Sequence, residues 1–73
     1  MTKPITTFAD LDEWARYDDG RPRVTIKLRN GCWYTTIEPL RGVPVRVERG
    51  ANTLAESIER AVTEYRTKRA SGA

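Results

Sequence analysis

The sequence contains no histidine and only one cysteine, Cys32, among its 73 residues. Histidine is the commonest general base and metal ligand near neutral pH. A zinc site or a Cys–His nucleophile pair needs more than one lone thiol. One cysteine also cannot form an internal disulfide, and the lack of disulfides is typical of proteins in a reducing compartment. We therefore expect no catalytic residues, no metal site, no cofactor and no enzyme activity.

Long apolar runs and glycine-rich stretches are also lacking. No segment approaches the roughly 20 apolar residues that a membrane-spanning helix needs. The start of the chain, Met1 to Pro4, has no hydrophobic region typical of a signal peptide. The five glycines are scattered and form no phosphate-binding loop. These features predict a cytoplasmic protein that does not associate with membranes.

The balance of residue types is that of a folded domain. Hydrophobic residues make up 38% of the chain and charged residues 32%, which is more typical of a folded chain than of a disordered one. The length suits one domain, residues 1–73, and is too short for two. The net charge of +3 permits nucleic-acid binding without requiring it.

The clearest local pattern is a β-hairpin around Asn30-Gly31, the preferred pair for a type I′ turn. It predicts strands over residues 23–29 and 33–38, with Leu28 opposite Trp33. In this register the apolar side chains share one face, and Arg23 lies opposite Glu38 on the other.

Capping residues and helical periodicity predict one helix on each side of the strands. Thr7 can cap a helix over residues 7–17, and Thr53 with Glu56 forms a capping box for a helix over 53–69. The second helix has an apolar stripe formed by Leu54, Ile58, Ala61, Val62 and Tyr65. Residues 70–73 should fray.

A third strand is predicted over residues 43–49. It should lie at a sheet edge, because Pro44 cannot donate a ladder hydrogen bond. The resulting order is α-β-β-β-α. We predict an α+β fold, a three-stranded antiparallel sheet with both helices packed on one face.

The polar face of this sheet is the first candidate binding surface. Its candidate residues are Arg23, Lys27, Arg29, Tyr34 and Arg46. Cations around an exposed aromatic ring can bind single-stranded nucleic acid, although such a face can equally be an ordinary solvated surface. Trp14, a core candidate on the first helix, would anchor a protein partner if it stays partly exposed.

The α-β-β-β-α order resembles the double-stranded-RNA-binding domain over most of the chain. That family contacts RNA through basic residues at the start of its last helix, where this chain has Asn52, Thr53, Ala55, Glu56 and Ser57. The run from Gly50 to Ala61 and the strand from Tyr34 to Pro39 also resemble HicB-type antitoxins. Their C-terminal DNA-binding domain has no counterpart here. The second resemblance implies a protein-binding module.

Two functional hypotheses follow. The first is a small non-enzymatic protein-interaction module, antitoxin-like or phage-encoded, that modulates a host protein through exposed aromatic residues or a strand edge. A homodimer formed through a strand edge belongs to the same hypothesis. The alternative is a nucleic-acid-binding protein that uses the basic sheet face, with an affinity that falls steeply with salt.

Overall fold

The computed structural model describes residues 5–41 and 45–71. Helix α1 (Phe8–Tyr17) is followed by strands β1 (Arg23–Arg29), β2 (Cys32–Glu38) and β3 (Val47–Ala51), and then by helix α2 (Leu54–Ser71). The strands form one antiparallel sheet in the order β1-β2-β3. Both helices pack against this sheet, so the predicted α+β fold and its α-β-β-β-α order are confirmed.

The hairpin between β1 and β2 has the predicted turn and register. Asn30 and Gly31 both have positive φ angles, 50° and 78°, as a type I′ turn requires. Leu28 lies opposite Trp33, and Arg23 lies opposite Glu38. The turn chemistry and the apolar alternation therefore select the same register.

Hydroxyl caps begin both helices where the sequence predicts them. The Thr7 hydroxyl accepts a hydrogen bond from the Asp10 amide at 3.1 Å, and the Thr53 hydroxyl accepts one from the Glu56 amide at 3.2 Å. Each cap satisfies an amide that has no partner within the helix. The α2 prediction ended too early, because the helix continues through Ala70 to Ser71.

The third strand begins and ends later in the chain than the sequence predicted. The part of it at residues 43–44 lies outside the described residues, and β3 runs over Val47–Ala51. Its register places Ile37 opposite Val47 and Trp33 opposite Ala51. If the same register continued for two more residues, Val45 would lie opposite Pro39, which has no N–H to donate. The ladder between β2 and β3 therefore does not extend to Val45.

The core lies between the inner face of the sheet and the two helices. Its buried members are Leu11 from α1, Ile37 and Val47 from the sheet, and Ile58, Ala61, Val62 and Tyr65 from α2. The predicted α2 stripe is thus confirmed, with Leu54 half-buried at its start. On α1 only Leu11 and Ala15 are fully buried.

A polar cluster joins the end of α1 to the last turns of α2. Arg69 donates to the Tyr65 hydroxyl at 3.0 Å, and this hydroxyl lies 3.4 Å from the Asp18 carboxylate. Burial raises the pKa of the Tyr65 hydroxyl above its usual value, while the hydrogen bond from Arg69 opposes this rise. A Cβ at Gly20 would collide with the Tyr65 hydroxyl, so the cluster packs directly on the backbone after α1.

Among the described residues, neither helix is long and apolar enough to cross a membrane.

Candidate functional site

The outer face of the sheet, which points away from the helices, brings together four of the predicted site residues on strands β1 and β2. Arg23, Lys27 and Arg29 alternate along β1 and are exposed. Tyr34 lies opposite Lys27 on β2, so its side chain shares their face. The hairpin register alone produces this grouping.

Tyr34 packs on the outer face over a glycine of β3. Gly50 lies opposite it, and a Cβ built at Gly50 would come within 2.7 Å of Tyr34 Cε1. Only a glycine leaves space for the ring at this position. The ring is half-buried, so it is less available for stacking than the sequence predicted.

The charges on the outer face divide it into two halves. Among the described residues, Arg23, Lys27 and Arg29 have no carboxylate within ion-pair distance. On the opposite half of the face, Arg46 lies 3.9 Å from Glu38. The carboxylate opposite Arg23 is therefore paired with Arg46, and the unpaired positive charge is concentrated on β1. We call the outer-face side chains Arg23, Lys27 and Arg29 the β1 cations.

Trp14 does not belong to this surface. It packs against the core on the helix side of the sheet, with its ring edge-on to Tyr65 at 5.5 Å between centroids. The Arg66 guanidinium lies 5.9 Å from the Trp14 ring centroid. The core interpretation of Trp14 is thus the better one, and its spacing of three residues from Leu11 is the sequence signal for it.

The inner face of β1 is incompletely covered by α1. Leu28 is 60% exposed, and its partner Trp33 is only half-buried. Val24 and Ile26 are also half-buried. The sequence predicted that all four side chains lie on the core-facing side of the sheet, and they do. Periodicity could not show that the core ends before it reaches the hairpin turn.

Arg49 is a residue that the sequence reasoning missed. Alternation from buried Val47 puts it on the helix side of β3, where its Nε atom donates to Glu64 of α2 at 2.8 Å. A second bond joins its Nη2 atom to the same carboxylate. This hydrogen bonding lowers the pKa of Glu64 and raises that of Arg49. The strand period of two was the available signal, because alternation with Val47 places Arg49 on the inner face of the predicted strand as well. The sequence did not show that Glu64 of α2 would lie within reach.

A groove between β3 and α2 is a concave feature of the described residues. It is open, and its charged lining residues are Glu48, Arg49, Glu59, Arg60 and Glu64. Arg49 is bound to Glu64, and Arg60 pairs with Glu56. Most of the groove's charge is therefore satisfied within the protein.

Cys32 is half-buried after the hairpin turn, 3.9 Å from the Asn52 side-chain oxygen. Within the described residues, no group of three or more histidine, cysteine, aspartate or glutamate side chains is arranged to hold a metal ion.

The chain matches no protein-family model, no curated protein and no solved structure. The resemblances to the double-stranded-RNA-binding domain and to HicB-type antitoxins therefore stay predictions.

Proposed function

We propose that this protein is a small non-enzymatic protein-interaction module. The observation that carries the proposal is the apolar surface near the hairpin turn, where Leu28 is 60% exposed beside half-buried Trp33. Burying such side chains against a partner is favourable, and tryptophan is a frequent energetic centre of interfaces. A module of this kind acts by occupying a surface of its partner, as an antitoxin or a phage-encoded modulator does.

The lone thiol supports a cytoplasmic place of action. Cys32 is the only cysteine in the chain and is a free thiol in the structure. A half-buried free thiol is compatible with a reducing compartment, where no disulfide is needed for stability.

Site-specific photo-crosslinking tests this function. A photoreactive amino acid replaces Leu28 in cells of the source organism, and a matched variant carries it in place of Tyr17, which is 83% exposed on α1. We expect a protein adduct at position 28 that survives nuclease treatment and is absent at position 17. The adduct protein, once identified and purified, should bind the wild-type chain stoichiometrically. Absence of any protein adduct at position 28 would contradict the proposal.

Nucleic-acid binding is the second candidate function, and the unpaired β1 cations beside Tyr34 favour it. Single-stranded DNA would lie along β1, with phosphates on the cations and a base against the tyrosine ring. The half-buried position of Tyr34 over Gly50 and the ion pairing of Arg46 leave this surface smaller than the sequence suggested.

Fluorescence anisotropy with oligothymidylate tests the second candidate. Affinity should fall with salt, with a slope of about −0.7 per phosphate contact on logarithmic axes. Replacing the three β1 cations with alanine should abolish binding. The matched control is Arg16→Ala, an arginine on α1 that pairs with Asp12. Equal binding by the triple variant would exclude this surface.

A further inference from the structure

The two edges of the sheet differ in how much of their backbone is available. At the β3 edge, the Arg60 side chain of α2 donates to the Gly50 carbonyl at 3.3 Å, and Arg49 is bound to Glu64 nearby. Strand β3 is also short, with five residues against seven in β1. Among the described residues, no strand pairs with the outer side of β1. Strand β1 is therefore the more open edge.

The hairpin geometry determines which backbone groups of β1 point outward. In a two-residue type I′ hairpin, the residues that flank the turn, Arg29 and Cys32, exchange both backbone hydrogen bonds. Pairs along the ladder then alternate, so Val24, Ile26 and Leu28 direct their N–H and C=O groups away from β2. These three residues present a row of backbone donors and acceptors to an incoming strand.

The side chains on the two faces of β1 specify the chemistry of that strand. Arg23, Lys27 and Arg29 stand on the outer face without a carboxylate partner among the described residues. On the inner face, Leu28 is exposed and Val24 and Ile26 are half-exposed. Side chains directly opposite each other in neighbouring strands interact, and opposite charges stabilise the pair. A strand that pairs favourably with the outer edge of β1 therefore alternates acidic with apolar residues.

A second copy of the chain does not have this chemistry. An antiparallel pair of β1 strands centred on Ile26 would set Arg23 against Arg29 of the second copy, and Thr25 against Lys27. Like charges directly opposite each other are destabilising, and cations on an edge strand are a common device against self-association. The same charges that oppose a second copy favour an acidic strand.

We propose that the outer edge of β1 accepts, as a fourth strand, an extended segment of a partner protein in which acidic residues alternate with apolar ones. The proposal rests on the interaction-module function and names the chemistry of its partner. Backbone hydrogen bonds to Val24, Ile26 and Leu28 hold the strand, and the β1 cations select its charge.

Peptide binding measured by amide hydrogen exchange tests the inference. The probes are soluble seven-residue peptides, one alternating glutamate with valine, one alternating lysine with valine, and one with the glutamates and valines in separate blocks. We expect the alternating acidic peptide alone to bind and to slow exchange of the Val24, Ile26 and Leu28 amides. Binding that leaves these amides unprotected, or equal binding of the block peptide, would overturn the edge assignment.

A proline at position 28 isolates the backbone contribution. Leu28→Pro removes an outward N–H that β2 does not use, while Leu28→Ala removes the same side chain and keeps the N–H. We expect the proline variant to bind the acidic peptide about tenfold more weakly than the alanine variant, the equivalent of one strong hydrogen bond. Equal affinities of two folded variants would refute strand addition.

Charge reversal gives a second test if the proline variant fails to fold. A variant with Arg23→Glu, Lys27→Glu and Arg29→Glu should lose the acidic peptide and bind the lysine–valine peptide instead. An unchanged preference would overturn the inference. Tight binding of oligothymidylate to the wild type, with no binding of the acidic peptide, would also overturn it.

The two proposals can fail separately. If the protein captured by crosslinking at position 28 binds Leu28→Pro as well as it binds Leu28→Ala, the interaction module stands and strand addition at β1 is wrong. If no protein is captured at position 28, the proposed function itself fails.

Discussion

At the residue scale, one buried hydroxyl pair connects the sheet to α2. Thr35 and Ser57 are fully buried, and their hydroxyl oxygens lie 2.9 Å apart. Ser57 donates its only hydroxyl hydrogen to the Leu54 carbonyl at 2.9 Å. Its oxygen must therefore accept from Thr35. The hydrogen bonds therefore run in one direction. Thr35 of β2 donates to Ser57, and Ser57 donates to the Leu54 carbonyl in the first turn of α2.

This direction predicts unequal effects of removing the two hydroxyls. Ser57→Ala leaves the Thr35 hydroxyl buried without a partner and should lower the free energy of unfolding by about 1–3 kcal/mol. Thr35→Val leaves Ser57 donating to Leu54 and should cost about 1 kcal/mol or less. Urea denaturation measures both values. The double variant should lose less than the sum of the single variants, and a larger loss for Thr35→Val would contradict the assigned direction.

At the scale of elements, the Arg49–Glu64 pair ties the edge strand β3 to α2. The hydrogen bond from Arg49 holds the pKa of Glu64 below its usual value of 4.5. Because the folded state lowers this pKa, the pair stabilises the fold fully above about pH 4.5. That stabilisation is lost as pH falls through the lower pKa of the folded state.

Glu64→Gln should therefore change how stability depends on pH. The variant should be less stable than the wild type at pH 7, and the difference should shrink as pH falls below 4.5. It should also shrink at high salt, because exposed charges are screened. Urea denaturation across this pH range provides the measurement, with Glu59→Gln on the same helix as the matched control. A difference that stays constant with pH would show that the pair contributes no linked stability.

At the scale of the whole molecule, the two helices are unequally attached to the sheet. Helix α1 buries only Leu11 and Ala15, whereas α2 buries residues on successive turns, namely Ser57, Ile58, Ala61, Val62 and Tyr65. The free energy of unfolding of a small domain is low, and elements with few buried contacts open first. Helix α1 is consequently the element expected to detach before the rest of the fold.

Amide hydrogen exchange measures this order of opening. The amides in the middle of α1 should exchange faster than those of Ile58 to Val62 in α2 and faster than the paired amides of β2. Leu11→Ala, which removes the only large side chain that α1 buries completely, should accelerate α1 exchange further. Protection in α1 equal to that in β2 would mean that the fold opens as one unit.

The parts of the structure that depend on local chemistry could be predicted from the sequence. Asn30-Gly31 selects a turn with two positive φ angles, and this turn determines every pairing between β1 and β2. Thr7 and Thr53 begin the helices through hydrogen bonds to amides three residues away. Because these preferences act within a few residues, no tertiary contact was needed to predict them. They were also enough to group the β1 cations with Tyr34.

Only the tertiary structure decided where β3 pairs and which charges meet. Strand β3 runs over Val47–Ala51, and the packing of this strand against α2 brings Arg49 to Glu64. Glu38 pairs with Arg46 although Arg23 lies opposite it, because long side chains reach partners beyond their register neighbours. The exposure of Leu28 depends on how far α1 and α2 extend over the sheet. Sequence periodicity assigns a side chain to a face, but only packing determines whether anything covers it.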